Sequence, residues 1–150
     1  PEIEKTALVR HCSRLFVTGA NITVPHATIV LRKAYGLGAQ AMAGGSFKEP
    51  FFAVSWPTGE FGGMGLEGQV KLGFRNELEA IEDPEERVTR YDDLVEAAYE
   101  RGRAINYGVS FGVDDVIDPA DSRQWISNAF GSVPPPPPRE GKKRPNIDTW

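Results

Sequence analysis

Residues Thr28 to Met42 constrain this chain more than any other stretch. The β-rich apolar run Thr28-Ile29-Val30-Leu31 gives way to the cationic pair Arg32-Lys33, then to Ala34-Tyr35-Gly36-Leu37-Gly38-Ala39, then to helix-forming residues ending at Met42. A strand that turns through glycine into a helix aims the first helical amides at whatever lies beyond the strand end. Amides held that way stabilise negative charge without any titratable side chain. A second glycine-rich stretch, Thr58 to Gly65, repeats the arrangement further along.

The flanking pattern alternates between the two periods of secondary structure. Glu4 to Gly19 reads as a helix whose apolar face carries Leu8, Cys12, Leu15 and Phe16, and on that face Cys12 is expected to pack in the core. Ala27 to Lys33 reads as a buried strand, Gly38 to Ala43 as a short helix stopped by Gly44-Gly45, and Phe51 to Ser55 as a second buried strand closed by Trp56-Pro57. Thr58 to Gly65 reads as a loop and Leu66 to Leu72 as a helix. A longer amphipathic helix spans Pro84 to Gly102, with Pro84 in its first turn, Glu85 and Glu86 beside the positive end of its dipole, and Val88, Tyr91, Leu94, Val95, Ala98 and Tyr99 as its buried stripe. Asp114 to Ile117 suits a third strand, and Asp118 caps a last helix over Ala120 to Phe130. Strands alternating with helices predict an α/β layered fold with mainly parallel strands. The expected organisation is one domain over residues 1–131, followed by an extended proline-rich tail over 132–150 that holds Pro134 to Pro138 and the charged patch Lys142-Lys143-Arg144.

Composition narrows the function. The 150 residues carry a net charge of -4 and a pI of about 5.2, which argues against a nucleic-acid binder, since phosphate affinity needs clustered cations. No apolar run is long enough to span a bilayer, so no membrane partner is expected. The single cysteine, Cys12, excludes an intramolecular disulfide and fits a reducing cytoplasm. His11 and His26 lack companions at metal-ligand spacing, so no metal site is expected. No Gly-x-Ser-x-Gly elbow is present to support an acyl-transfer triad.

By letters alone, Gly36-x-Gly38-x-x-Ala41 and Gly63-x-Gly65-x-x-Gly68 match the dinucleotide fingerprint. Neither satisfies its physics. After the first, the next strand ends at Ser55-Trp56-Pro57 without the acid that would grip a ribose. Before the second, the strand is expected to end well short of the glycines. What the matches share is a tight glycine turn feeding a helix, which serves either as a ligand cradle or simply as a turn and helix cap.

The order of these motifs resembles the biotin-dependent carboxyltransferases that act on acyl-CoA, of the propionyl-CoA and acyl-CoA carboxylase β-subunit type. The likeness is carried by Arg32-Lys33-Ala34-Tyr35-Gly36 with Gly38-Ala39, by Thr23-Val24-Pro25 before that strand, by Ala53-Val54-Ser55-Trp56-Pro57-Thr58, by Met64-Gly65-Leu66-Glu67-Gly68, and by Asp114-Asp115-Val116-Ile117-Asp118-Pro119 with Ser122-Arg123. It covers roughly residues 4–131 and departs from the family at Leu37, which reads as an insertion, and at Gln69, where a small residue is usual.

The resemblance implies a crotonase-like fold, here the truncated C-terminal half of a protein built from two such halves. It implies transfer of a carboxyl group from carboxybiotin to an acyl-CoA, with biotin on a carrier protein or domain and none attached here. Implied partners are the N-terminal carboxyltransferase half, the biotin carboxyl carrier, the biotin carboxylase, the acyl-CoA itself and further copies in a homo-oligomer. The amides of Gly38 and Ala39 become the oxyanion donors facing biotin. Tyr35, Gly36, Leu37, Arg32 and Lys33 become substrate-binding candidates. Arg32 and Lys33 suit either the carboxylate of carboxybiotin or a strand end with acidic partners, and Tyr35 suits either the pocket wall or the core. A biotin-independent crotonase-like hydratase, isomerase or decarboxylase, or a non-catalytic assembly module, are the competing readings. A half of this kind is expected to be nearly inactive alone and to self-associate through apolar surface that its partner covers.

Overall fold

The computed structural model describes residues 2–138, 140 and 141. Short 3-10 turns cover Glu4–Thr6 and Pro119–Asp121. The remaining elements run α1 (Leu8–Ala20), β1 (Ala27–Val30), β2 (Lys33–Tyr35), α2 (Gly36–Met42), β3 (Phe52–Ser55), β4 (Glu60–Gly62), α3 (Leu66–Gly73), α4 (Arg75–Glu79), α5 (Pro84–Gly102), α6 (Ala104–Val109), β5 (Asp115–Val116) and α7 (Ser122–Gly131).

Among the described residues each ladder between strands is parallel, as an alternating pattern predicts, and one isolated antiparallel bridge joins Glu60 to Arg103. One sheet has the order β1-β3-β5, with Ala27 opposite Phe52 and Val54 opposite Asp115. The other pairs β2 with β4, Lys33 opposite Glu60 and Tyr35 opposite Gly62. The expected strand Ala27–Lys33 is therefore two strands. The two segments, β1 into β2 and β3 into β4, leave the first sheet side by side and enter the second. Pro57 lacks the amide to continue the ladder, and the crossing is tied by Trp56 N–H to the Val30 carbonyl (2.9 Å), the Thr58 hydroxyl to the Leu31 carbonyl (2.6 Å) and Glu60 N–H to the Arg32 carbonyl (2.7 Å). Gly59 is required in this crossing, since a Cβ there would lie 2.0 Å from the Ser55 hydroxyl oxygen.

Other expectations also need correction. The stretch Thr58–Gly65 contains β4, so a strand does run directly into the second set of glycines. The short helix begins at Gly36 and not at Gly38. Helices α4 and α6 fall where no element is expected. On α1, Leu8 and Leu15 are 40% and 49% exposed and Cys12 is exposed; only Gly19 is buried, against Gly44. On α5, Val88 is exposed while Leu94 and Ala98 are buried. The boundaries of α5 match the expectation, and Asp83 caps it by accepting from Glu85 N–H. Asp118 accepts from Ala120 N–H, as its place before Pro119 predicts. Pro134–Pro138 carries no regular secondary structure, and the patch Lys142-Lys143-Arg144 lies outside the described residues.

Strand alternation sorts the core into clusters. Ala34, Ala53 and Phe61 point to one, with Val30, Ala43, Phe47, Ala104 and Val113. Phe52 and Val54 face Ile117, Trp125 and Ala129 beneath α7. Tyr35, on the opposite face of β2 from Ala34, joins Leu66, Val70, Leu94 and Ala98 between α3 and α5.

Candidate functional site: a recess between paired glycine turns

Pairing of β2 with β4 brings their two exits together, because Tyr35 and Gly62 are partners in the ladder. Tyr35, extended at φ -111° and ψ 134°, caps α2, and Gly36 follows at φ +60°. That conformation favours glycine, and a Cβ on Gly36 would also sit 2.8 Å from the Gly63 carbonyl oxygen. The two turns touch, and only a residue without a side chain fits between them. From β4 the chain passes Gly63, Met64 and Gly65 before α3 starts at Leu66, with Gly65 as its cap.

A recess of about 260 Å³ opens beside these turns. Ala34, Gly36, Gly62 and Gly63 form one side. Phe47, Phe61 and Tyr107 form an aromatic wall, and Gln40 stands one helical turn beyond Gly36. The Phe61 and Tyr107 rings stack with centroids 4.1 Å apart and planes 8° from parallel, and Phe47 meets both edge-on. Among the described residues, no charged side chain lines the space.

Of the residues singled out in the sequence, Gly36 lines this recess. Gly38 is exposed, and a Cβ on it would meet no atom within 4 Å. Leu37 is 70% exposed, and Ala39 is half-buried against the core. In a helix capped at Tyr35, the amides of Gly36, Leu37 and Gly38 have no intrahelical acceptor, whereas the Ala39 amide is where the helical ladder begins. Lys33 and Tyr35 lie on the face of β2 turned away from the recess. The Tyr35 hydroxyl donates to a Glu60 carboxylate oxygen at 2.8 Å, and burial together with that bond pushes its pKa up. Arg32 lies in the crossing between the sheets and lines a separate open cleft of about 650 Å³ with Leu31, Trp56, Thr58 and Glu60. Behind the second turn, the Tyr99 hydroxyl donates to Glu67 at 2.5 Å. This bond lowers the Glu67 pKa and raises that of Tyr99.

Sequence reasoning misses Gln40, Phe47, Phe61 and Tyr107. Gln40 carries a usable signal, the four-residue spacing from Gly36 that puts both on one helical face. Phe47 and Tyr107 carry none, because only the fold brings α6 beside the segment after α2.

Comparison with known proteins places this geometry in a family. The methylmalonyl-CoA carboxyltransferase 12S subunit of Propionibacterium freudenreichii is 35% identical over 134 residues, covering 85% of this chain and 24% of the relative. The propionyl-CoA carboxylase carboxyltransferase subunit of Haloferax mediterranei is 36% identical, covering 82% of this chain and 23% of that protein. The chain thus spans about a quarter of the length of these relatives. Among solved structures, a transcarboxylase 12S subunit, described as a hexamer with methylmalonyl-CoA bound, superposes with a TM-score of 0.78 at 31% identity, covering 97% of this chain and 28% of that one. A single-chain, multi-domain long-chain acyl-CoA carboxylase gives 0.72 at 54% identity, covering 86% of this chain and 12% of that one. The crotonase-like α/β arrangement implied by the resemblance holds. With residues 2–133 matching the model of the carboxyl transferase domain, the chain belongs to the carboxyl transferase domain family.

Proposed function

We propose that this chain forms the biotin-side part of a carboxyltransferase that moves a carboxyl group between biotin and an acyl-CoA. The observation that carries this reading is the uncharged recess between two touching glycine turns, in a chain of this family. The residues present fit a biotin head group. A neutral, flat ureido ring needs an apolar wall, hydrogen-bonding groups at its edge and no buried charge left unpaired. Biotin, carried on a partner protein or domain, supplies the carboxyl group and takes up the proton lost from the acyl α-carbon.

The chain's own part is to bind, orient and stabilise charge. The aromatic wall bounds the recess on one side. Gly36, Gly62 and Gly63 let the backbone approach it closely. The open amides of α2, Gly38 with its neighbours, supply the donors for a developing oxyanion. Leu37 precedes Gly38 in the unpaired turn, so Leu37 and Gly38 form the donor pair that best fits the observed helix start, in place of Gly38 and Ala39. Donors for the acyl oxygen and most of the CoA surface lie on the other half of the carboxyltransferase. Apolar side chains exposed on this chain, Val9 and Met42 among them, are covered by that half or by further copies. Biotin carboxylase and carrier units complete the assembly.

The test uses the intact protein from which this segment derives. With a labelled carboxylated acyl-CoA and free biotin, it should transfer label only when biotin is present. Gly38→Pro, which removes one amide from the first turn, where a helix accepts proline, should slow transfer about 10²-fold or more. Hydration, isomerisation or decarboxylation that proceeds equally without biotin would overturn the reading.

A further inference from the structure

We propose that Gln40 is the residue that reads the ureido group, holding it at the edge of the Phe61–Tyr107 stack; the proposal rests on the carboxyl-transfer reading above. Gln40 is exposed, and its side-chain amide makes no hydrogen bond among the described residues. Its backbone carbonyl is already engaged by the amides of Ala43 and Gly45, which ties down the end of α2 that carries it. Of the side chains lining the recess, Gln40 alone holds a donor and an acceptor in one planar group. The phenol of Tyr107 is the only other polar side chain there.

These features select a ligand class. An ammonium ligand would meet no opposite charge in this lining. A cyclic urea has the complementary pattern, with a carbonyl oxygen to accept from the carboxamide NH₂ and an N–H to donate to the carboxamide oxygen. The wall is fixed in advance. Phe61 is 3% exposed, and the Tyr107 ring is trapped between it and the backbone of Gly112, where an added Cβ would come within 2.2 Å of the ring. With their faces covered, the stacked rings offer their edges to the recess, and a ligand between them and α2 has one side toward that helix. Gln40 stands on that side, one turn past the glycine junction, so a bond from it sets how far the ring sits from Gly36 and Gly63.

The experiment compares the intact enzyme with Gln40→Met and Gln40→Glu in transfer from a carboxylated acyl-CoA to free biotin. Met keeps the length and helix preference of Gln but removes both hydrogen-bonding groups. The KM for biotin should rise about three- to tenfold, the loss expected for neutral hydrogen bonds, while the KM for the acyl-CoA stays unchanged. Glu keeps an acceptor and adds an unpaired charge, so its biotin KM should rise at least as far. Unchanged biotin KM in both variants overturns the role of Gln40 while leaving carboxyl transfer standing, and so does a rise shared equally by both substrates. A wild-type enzyme that binds acyl-CoA but shows no biotin-dependent transfer overturns the carboxyl-transfer reading, and this inference with it.

Discussion

In the three-stranded sheet the central strand β3 buries all four of its residues, whereas in the two-stranded sheet β2 and β4 bury only Ala34 and Phe61. Both sheets use parallel pairing, and the same two segments of the chain run through them in succession. What differs is how each is held. The first is clamped between apolar clusters on both faces. The second is fully clamped on one face; on its other face, which carries Lys33, Tyr35 and Glu60, Tyr35 packs against the cluster between α3 and α5 and is tied to Glu60 by a tyrosine–carboxylate bond. The candidate site grows from the second sheet. Its glycine turns need close backbone approach, and a fully packed apolar strand end would fill the recess.

The sharpest way to break this contrast is to damage each sheet by its own mechanism. Phe52 is 5% exposed and packs against Trp125, so Phe52→Ala should lower the unfolding free energy by about 3 kcal/mol. Denaturant titration of the intact protein measures it, and the transfer rate per folded molecule should not change. Gly36→Val should do the reverse. It forces a β-branched residue to φ +60° and drives a Cβ into the Gly63 carbonyl, prying the turns apart. Displacement of that order costs about 10² in rate, with stability falling less than in Phe52→Ala. If Gly36→Val unfolds the protein but leaves the residual folded fraction fully active, the glycine junction is scaffold and not site.

How much of this was legible in the sequence follows the same divide. Strand β3 could be read because Phe52-Ala53-Val54-Ser55 is apolar and ends at Trp56-Pro57. Helix α5 could be read because a proline in its first turn and a long stripe of apolar positions outweigh local ambiguity. Strand β4 could not, because Glu60-Phe61-Gly62 is short and contains a residue depleted in strands; it exists because β2 offers it a partner in register. For the same reason Gly36 could be found, as a glycine between a strand and a helix, while Phe47 and Tyr107 could not, since their convergence is tertiary. Cys12 shows the opposite error. Periodicity identifies an apolar face on α1 but does not say whether this chain covers it.

The polar clamp on the second sheet gives the next test. Tyr35→Phe removes the hydroxyl that bonds Glu60 and keeps the ring among Leu66, Val70 and Leu94. The loss should be about 1 kcal/mol, with the biotin KM unaffected, because the hydroxyl faces away from the recess. The Tyr35 phenol is raised in the folded state, so its contribution is full below pH 10, the ordinary value, and disappears as alkali ionises it. A variant as stable as the parent at neutral pH would remove the clamp from the account of what holds β2 to β4.

The smallest expected effect is the most specific in its shape. The bond from Tyr99 lowers the Glu67 carboxyl below its ordinary 4.5, and the Lys33 and Lys71 charges act in the same direction. A depressed carboxyl stabilises the fold above its unfolded pKa, and that contribution drains away as acid protonates it. For Tyr99 the same bond raises the phenol above 10.0, so its share is present below that value and is lost as pH rises through the folded one. One bond therefore gives a plateau of added stability between two ordinary pKa values, falling on both sides. Tyr99→Phe should lower Tm slightly across that plateau, and the difference from the parent should shrink in acid as Glu67 protonates and in strong alkali as Tyr99 ionises. A difference that stays constant from acid to alkali would assign the Tm loss to ring packing between α3 and α5, leaving Tyr35–Glu60 as the one polar tie behind the glycine turns.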